Sequence, residues 1–211
     1  MTPNDAESIF LAGRDDPEFD CLKGLDALKI LENGEYIYLA GIYWEKFNFE
    51  KGLEFLIELN ATEYLYRAGR SWREFNYALG LNALINQSDA RLIYYAGLDW
   101  KQFDYDVGLK ALLNLNQSEF IFYAGCHWKQ FNTVLAQERL IALSDLKFIY
   151  KAGANWKQFN YESGWKILEK NIRDGAKWRA MALENSAWRN GLIELWHKIC
   201  PKNTASFTLS V

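Results

Sequence analysis

The sequence is poor in the residues that break, staple or anchor a chain. Three prolines and fourteen glycines in 211 residues exclude collagen-like and low-complexity architectures. Cys21, Cys126 and Cys200 form an odd, scattered set, which argues against a disulfide framework and for reduced thiols in a cytoplasmic setting. No apolar run approaches the roughly 18 residues that span a bilayer. The opening Met1–Asp5 stretch is acidic and lacks an apolar core, so neither a cleaved signal peptide nor a membrane role is expected. Neither sign of charge dominates. A net charge of −3 lends no support to general binding of nucleic acid or membrane surfaces.

The vocabulary of catalysis is equally thin. The two histidines, His127 and His197, have no Ser/Asp partner at a recognised spacing, and no His-Glu-x-x-His occurs. Cys126 and His127 are neighbours, and neighbours on a helix diverge by about 100°, a poor arrangement for holding one metal. No Gly-rich phosphate loop follows a strand pattern. The expectation is a chain that is not an enzyme and uses no metal and no cofactor.

Aromatic residues, by contrast, are abundant: nine Trp, twelve Tyr and thirteen Phe, 16% of the chain, which rules out wholesale disorder. Most of them recur in register. The pair Ala-Gly stands at 12–13, 40–41, 68–69, 96–97, 124–125 and 152–153, a period of 28 without a slip. With each Ala as position 0, position +4 is Trp44, Trp72, Trp100, Trp128 and Trp156, with Asp16 departing. Position +7 is Phe in all six units, from Phe19 to Phe159, and +8 is Asn or Asp. Position +12 is Gly in five of the six, Ala136 departing, and +16 is Leu throughout, from Leu28 to Leu168.

Each unit reads as two short helices. Position −8 carries a capping type in Asn4, Asn60, Ser88, Asn116 and Ser144, with Glu32 departing, and Glu7, Glu63 and Glu119 follow at capping-box spacing. Apolar residues at −3, 0, +4 and +7 place one face of a first helix, and the Asn/Asp at +8 caps a second. The Gly at +1 either ends the first helix in a left-handed cap or lies inside it where a neighbour approaches closely. The apolar spacing continues in phase through Trp and Phe, which favours the second reading. Period-2 alternation is absent, so no strands are expected.

Repeats near 4–31, 32–59, 60–87, 88–115, 116–143 and 144–171 are followed by a degraded unit over 172–200. There the frame puts Ala180 at position 0 and Trp178 at −2. The fold class predicted is an all-α αα solenoid of about six 28-residue helix pairs plus a C-terminal capping repeat, one domain over 1–200. After Pro201 the tail has no helical pattern and reads as a mobile or strand-like extension, whose Leu209-Ser210-Val211 end suits a peptide-binding groove.

This helix-pair logic resembles that of αα-solenoid proteins as a class, such as the tetratricopeptide, HEAT and Pumilio-type families, over about residues 4–196. Their periods are roughly 34–47 residues, and the Ala-Gly-x-x-Trp-x-x-Phe-Asn/Asp signature matches none of their consensus patterns. No family's functional residues carry over. What the resemblance implies is a recognition scaffold.

On the helical wheel the fixed Trp, Phe and Tyr positions occupy a wide arc that core packing demands, so the ladder of Trp residues is expected to be core rather than a base-stacking platform. Positions −5, −1, +2, +3 and +6 face outward, and there the units diverge. Tyr43, Arg67, Arg70, Tyr95, Leu98, Tyr123, His127 and Lys151 give this face aromatic, apolar and cationic area, the types favoured as binding anchors. They are the candidate contacts to a protein or peptide partner; the alternative is drift on an unselected solvent face. Position +5 supplies Arg73, Lys101, Lys129 and Lys157, a basic column that offers nucleic acid or a nucleotide ligand as the less favoured alternative. Long stems at +5 also suit a solvated face in which they cover Trp rings. Residues 1–35 carry a net −6 and residues 169–211 a net +3. That asymmetry fits head-to-tail association, or a monomer whose ends are simply kept soluble.

Overall fold

The computed structural model of this chain describes residues 5–199. Asn4, with its expected capping role, and the tail 201–211, with its expected extension and peptide-like end, lie outside the described residues. Within them the fold is all-α, with fourteen helices and no strand. In chain order the helix pairs are α1 (Ala6–Asp15) with α2 (Cys21–Ile30), α3 (Gly34–Tyr43) with α4 (Phe49–Glu58), and α5 (Thr62–Ser71) with α6 (Tyr77–Asn86). They continue as α7 (Ala90–Asp99) with α8 (Tyr105–Asn114), α9 (Ser118–His127) with α10 (Thr133–Ala142), and α11 (Leu146–Asn155) with α12 (Tyr161–Lys170). The longer α13 (Ile172–Glu184) and α14 (Ser186–Ile199) close the series. No described helix is long and apolar enough to cross a membrane.

The chain divides into two compact units between Asp104 and Tyr105. In the first, α1, α3, α5 and α7 pack each against the next, while α2, α4 and α6 each lie against their own first helix and the following one. In the second, α9, α11 and α13 pack in the same successive way, α10 and α12 lie between them, and α14 rests on α11, α12 and α13.

The caps set the helix starts, and they stand one residue later than the sequence pattern predicts. Position −8 is the left-handed residue ending the preceding helix: Glu32, Asn60, Ser88, Asn116 and Ser144 all have φ between 51° and 59°. Around Glu32 its own N–H reaches the Lys29 carbonyl, and the N–H of Asn33 reaches back to the carbonyl of Leu28, a Schellman closure. Position −7 is the actual N-cap. Asp5, Asn33, Asp89 and Asp145 accept there from the backbone N–H three residues on, whereas Ala61 and Gln117 offer no side-chain cap. Both positions favour short polar residues, −8 because Asn tolerates the left-handed region and −7 because of its carboxylate or amide oxygen. The second-helix caps at +8 fall as expected: Asp20, Asn48, Asn76, Asn132 and Asn160 each accept from the N–H three residues on.

The glycine at +1 sits inside the first helix, but the helix stops two residues later. Trp44, Trp72, Trp100, Trp128 and Trp156 are C-cap residues with extended ψ near 127–146°. The tryptophans therefore leave the helix instead of continuing its apolar stripe, and Trp44, Trp72, Trp100 and Trp156 are wedges into the pair before them. A Cβ on Gly41 would stand 2.3 Å from Cε2 of Trp72, and the same closeness holds for Gly13 with Trp44, Gly69 with Trp100, Gly125 with Trp156 and Gly153 with Trp188. The tip of Trp72 reaches Gly52 of the second helix, where an added Cβ would lie 3.2 Å from it. The indole N–H groups of these wedges are satisfied as well: Trp72 Nε1 donates to the Tyr38 carbonyl at 3.0 Å, and Trp44, Trp100, Trp156 and Trp188 repeat that bond on Phe10, Tyr66, Phe122 and Tyr150.

The phenylalanines at +7 fill the remaining gap edge-on. Phe47 stands 5.1 Å from the ring of Trp72 and 6.3 Å from that of Trp44. The same alternation links Phe75 with Trp100 in the first unit and Phe131, Trp156, Phe159 and Trp188 in the second. Such pairs add about 0.5–1.5 kcal/mol each beyond the area they bury. The Trp ladder is core: the five +4 tryptophans are between 1% and 7% exposed, and the leucines at +16 are fully buried.

The last pair departs from its expected register. Ala180 is exposed, and Ala182 is the fully buried alanine. Trp178 pairs with Tyr150 at 5.6 Å, the contact that a −4 residue makes elsewhere, as Tyr64 does with Tyr38. Trp188 takes the wedge position against Gly153 and Gly164. The lengthened α13 moves the frame by two residues at Ala182 and by four at Trp188, a change that a fixed 28-residue count cannot follow.

Candidate partner-binding face

In the first unit the predicted contacts lie on the outward side of α3, α5 and α7. Tyr43, at the end of α3, is 56% exposed and leans edge-on against Phe10 of α1, with ring centres 5.9 Å apart. Ile42 beside it is 40% exposed. One rung further, α5 presents Arg67 and Arg70, both exposed. α7 then presents Tyr95 and Leu98, at 39% and 37%. Arg67 and Arg70, like Tyr95 and Leu98, are one turn apart on their helix, Ile42 and Tyr43 are neighbours at the end of α3, and each helix packs on the next, so the three rungs are adjacent.

The charges on this face are organised. Glu63 accepts from Arg67 Nε at 3.3 Å and from Arg91 Nη2 at 3.2 Å, bridging α5 and α7, and the Arg67 guanidinium lies over the Tyr64 ring at 5.6 Å. Among the described residues no carboxylate stands within salt-bridge distance of Arg70. Its guanidinium is close to the Tyr66 hydroxyl, which donates to the carboxylate of Asp99. Burial, and then the hydrogen bond to Asp99, push the Tyr66 phenol up to about 12, with Arg70 pulling weakly the other way. The Tyr95 ring rests against Tyr66 at 6.4 Å. Tyr66 was legible as a packing position, but its role in fixing Asp99 and Tyr95 depends on contacts between helices that no single-helix wheel shows.

In the second unit the predicted residues are less open. Tyr123 is half-buried, donates to Glu119 at 3.2 Å and stacks on the exposed His127 with ring centres 6.3 Å apart. Lys151 is half-buried too, its ammonium 5.6 Å from the Phe122 ring centre and 5.2 Å from that of Phe148. Cys126, next to His127, is half-buried, and burial raises its thiol pKa.

The +5 column is exposed at all four positions, Arg73, Lys101, Lys129 and Lys157. Arg73 donates to the Glu45 carbonyl at 3.2 Å and lies over the Phe49 ring at 5.1 Å. Arg73 thus covers a ring with its guanidinium, where the expectation was a stem over a tryptophan.

One feature escaped sequence reasoning altogether. A groove of about 850 Å³ runs in the second unit between α10, the start of α12 and α14, with Val134, Glu138, Tyr161, Glu194 and Leu195 among its walls. Its floor includes Gln137, 4% exposed, which replaces the leucine usual at +13. Gln137 donates to the Asn160 carbonyl at 2.7 Å and accepts from the Asn160 N–H at 2.8 Å, so its buried amide is satisfied. The departures at Ala136 and Gln137 were the available signal, because the other units carry Gly-Leu or Gly-Trp there.

The sequence matches no protein-family model, no curated protein and no solved structure.

Proposed function

We propose that this chain is a non-enzymatic αα-solenoid scaffold, a single repeat domain whose outward first-helix face binds a protein or peptide partner in the cytoplasm, as an adaptor or inhibitor. One observation carries the reading. Wedge, glycine and leucine positions repeat with little change while the outward positions of α3, α5 and α7 differ at each rung and hold Ile42, Tyr43, Tyr95 and Leu98 at the surface. Exposed aromatic and apolar side chains beside arginine are what interface hot spots are made of. Exposed apolar side chains grouped on one face and rimmed by polar residues mark interaction sites.

Affinity purification with mass spectrometry, run with the wild-type chain beside the Arg67→Glu, Arg70→Glu, Tyr95→Ala variant, tests it. The partner is expected with the wild type and absent from the variant at an unchanged melting temperature. Equal recovery by both would end the assignment of this face. The second reading, nucleic acid held by Arg73, Lys101, Lys129 and Lys157, rests on their shared exposure. It requires binding that falls steeply with salt and is lost when the three lysines become glutamate.

A further inference from the structure

We infer that the partner segment is an extended, acidic-centred peptide, with an Asp or Glu seated on Arg70 and Arg67 and an apolar residue three positions away on each side. The inference rests on the proposed function and names the chemistry of its partner. Its basis is the order of the rungs: apolar on α3 (Ile42 and Tyr43), cationic on α5 (Arg67 and Arg70), apolar on α7 (Tyr95 and Leu98).

Spacing converts that order into a sequence pattern. Packed helices stand about 8–10 Å apart. An extended chain in the polyproline II conformation advances about 3.1 Å per residue and completes a turn every three, so every third side chain faces the same side. A peptide crossing the three helices at right angles therefore meets a new rung about every third residue. The pattern that matches is apolar-x-x-acidic-x-x-apolar.

Charge selects the centre. Arg67 already shares Glu63 with Arg91, whereas Arg70 faces a neutral phenol and has no described carboxylate within salt-bridge distance. Asp99 accepts from the Tyr66 hydroxyl and lies outside salt-bridge distance of Arg70, so the guanidinium fork of Arg70 is available for a bidentate carboxylate. A phosphate chain fits less well, because it would set a charge on every rung, beside Glu63 and Asp99 and against the apolar side chains of α3 and α7, whereas a peptide brings a single charge to the arginines.

The test uses the full chain and fluorescence anisotropy with labelled peptides of the form Leu-x-x-Glu-x-x-Leu, spacers Gly or Ser, beside Gln- and Lys-centred versions. The Glu-centred peptide should bind at least tenfold more tightly than the Lys-centred one. Arg70→Glu should reverse that order, favouring Lys, while keeping the wild-type melting temperature. Equal affinity for the three centres would overturn the acidic centre and leave face-directed binding standing. If no peptide binds while the wild-type chain still captures a partner that the triple variant loses, the extended-peptide inference fails and the proposed function survives. If neither peptide nor partner depends on this face, both fail.

Discussion

Replacing glycine by alanine within a helix ordinarily stabilises it by about 1 kcal/mol, yet at Gly41 the indole of Trp72 fills the place a methyl group would take. Gly41→Ala is therefore expected to lower stability by about 1–3 kcal/mol through overpacking, measured by urea unfolding. A gain would mean that the wedge can retreat at little cost. At Glu32 the sign runs the other way. Its φ of 52° disfavours a side chain, and glycine removes that strain. Allowing for the greater freedom of glycine in the unfolded chain, Glu32→Gly should raise stability by about 0.5–1 kcal/mol. Tyr66 gives a pH signature. A phenol whose folded pKa lies near 12 against an ordinary 10.0 contributes stability that is complete below pH 10 and is lost as pH rises through 12. Melting curves of the wild type should fall over that alkaline window, and Tyr66→Phe should flatten the fall; an equal fall in both would remove Tyr66 as its source.

At the scale of the helix pair, the sequence carried the repeat, the two-helix unit and the buried ladder, because Ala, Gly, Trp, Phe and Leu recur where packing leaves no choice. Boundaries were harder to read. The 4-3 spacing from Ala40 through Trp44 to Phe47 looks like one continuing stripe, yet the helix ends at Tyr43 and the long indole of Trp44 crosses to the previous pair. Periodicity records only that residues are apolar, so it cannot separate a helix face from a side chain that reaches out of a cap. Two adjacent short polar residues, such as Ser88 and Asp89, likewise hide which one caps, since the left-handed turn and the N-cap both prefer them. The last pair offers a clean test of register. Ala182→Leu should cost several times more stability than Ala180→Leu, which should stay within about 0.5 kcal/mol of the wild type. Thermal unfolding of the two variants decides it, and a larger loss at Ala180 would restore the unbroken 28-residue frame.

For the molecule as a whole, the outward positions named from the wheel did emerge at the surface of the first unit, because exposure depends on helix phase and the phase was right. The sequence could not say that Arg67 is shared with Glu63, that Tyr66 ties Asp99, or that α10, α12 and α14 enclose a groove, because each depends on side chains from separate helices. The division of labour between ladder and face yields a prediction of its own: Trp72→Ala should lose about 3–5 kcal/mol of stability, whereas Tyr43→Ala and Leu98→Ala should weaken partner capture without shifting the melting temperature. Hydroxyl-radical footprinting of the chain with its captured partner tests the central claim most directly. The account predicts that Tyr43, Tyr95 and Leu98 are protected while Leu22, Ile30 and Val134, exposed elsewhere, oxidise as in the free chain. Protection of the latter three, with Tyr43, Tyr95 and Leu98 oxidised as before, would contradict it.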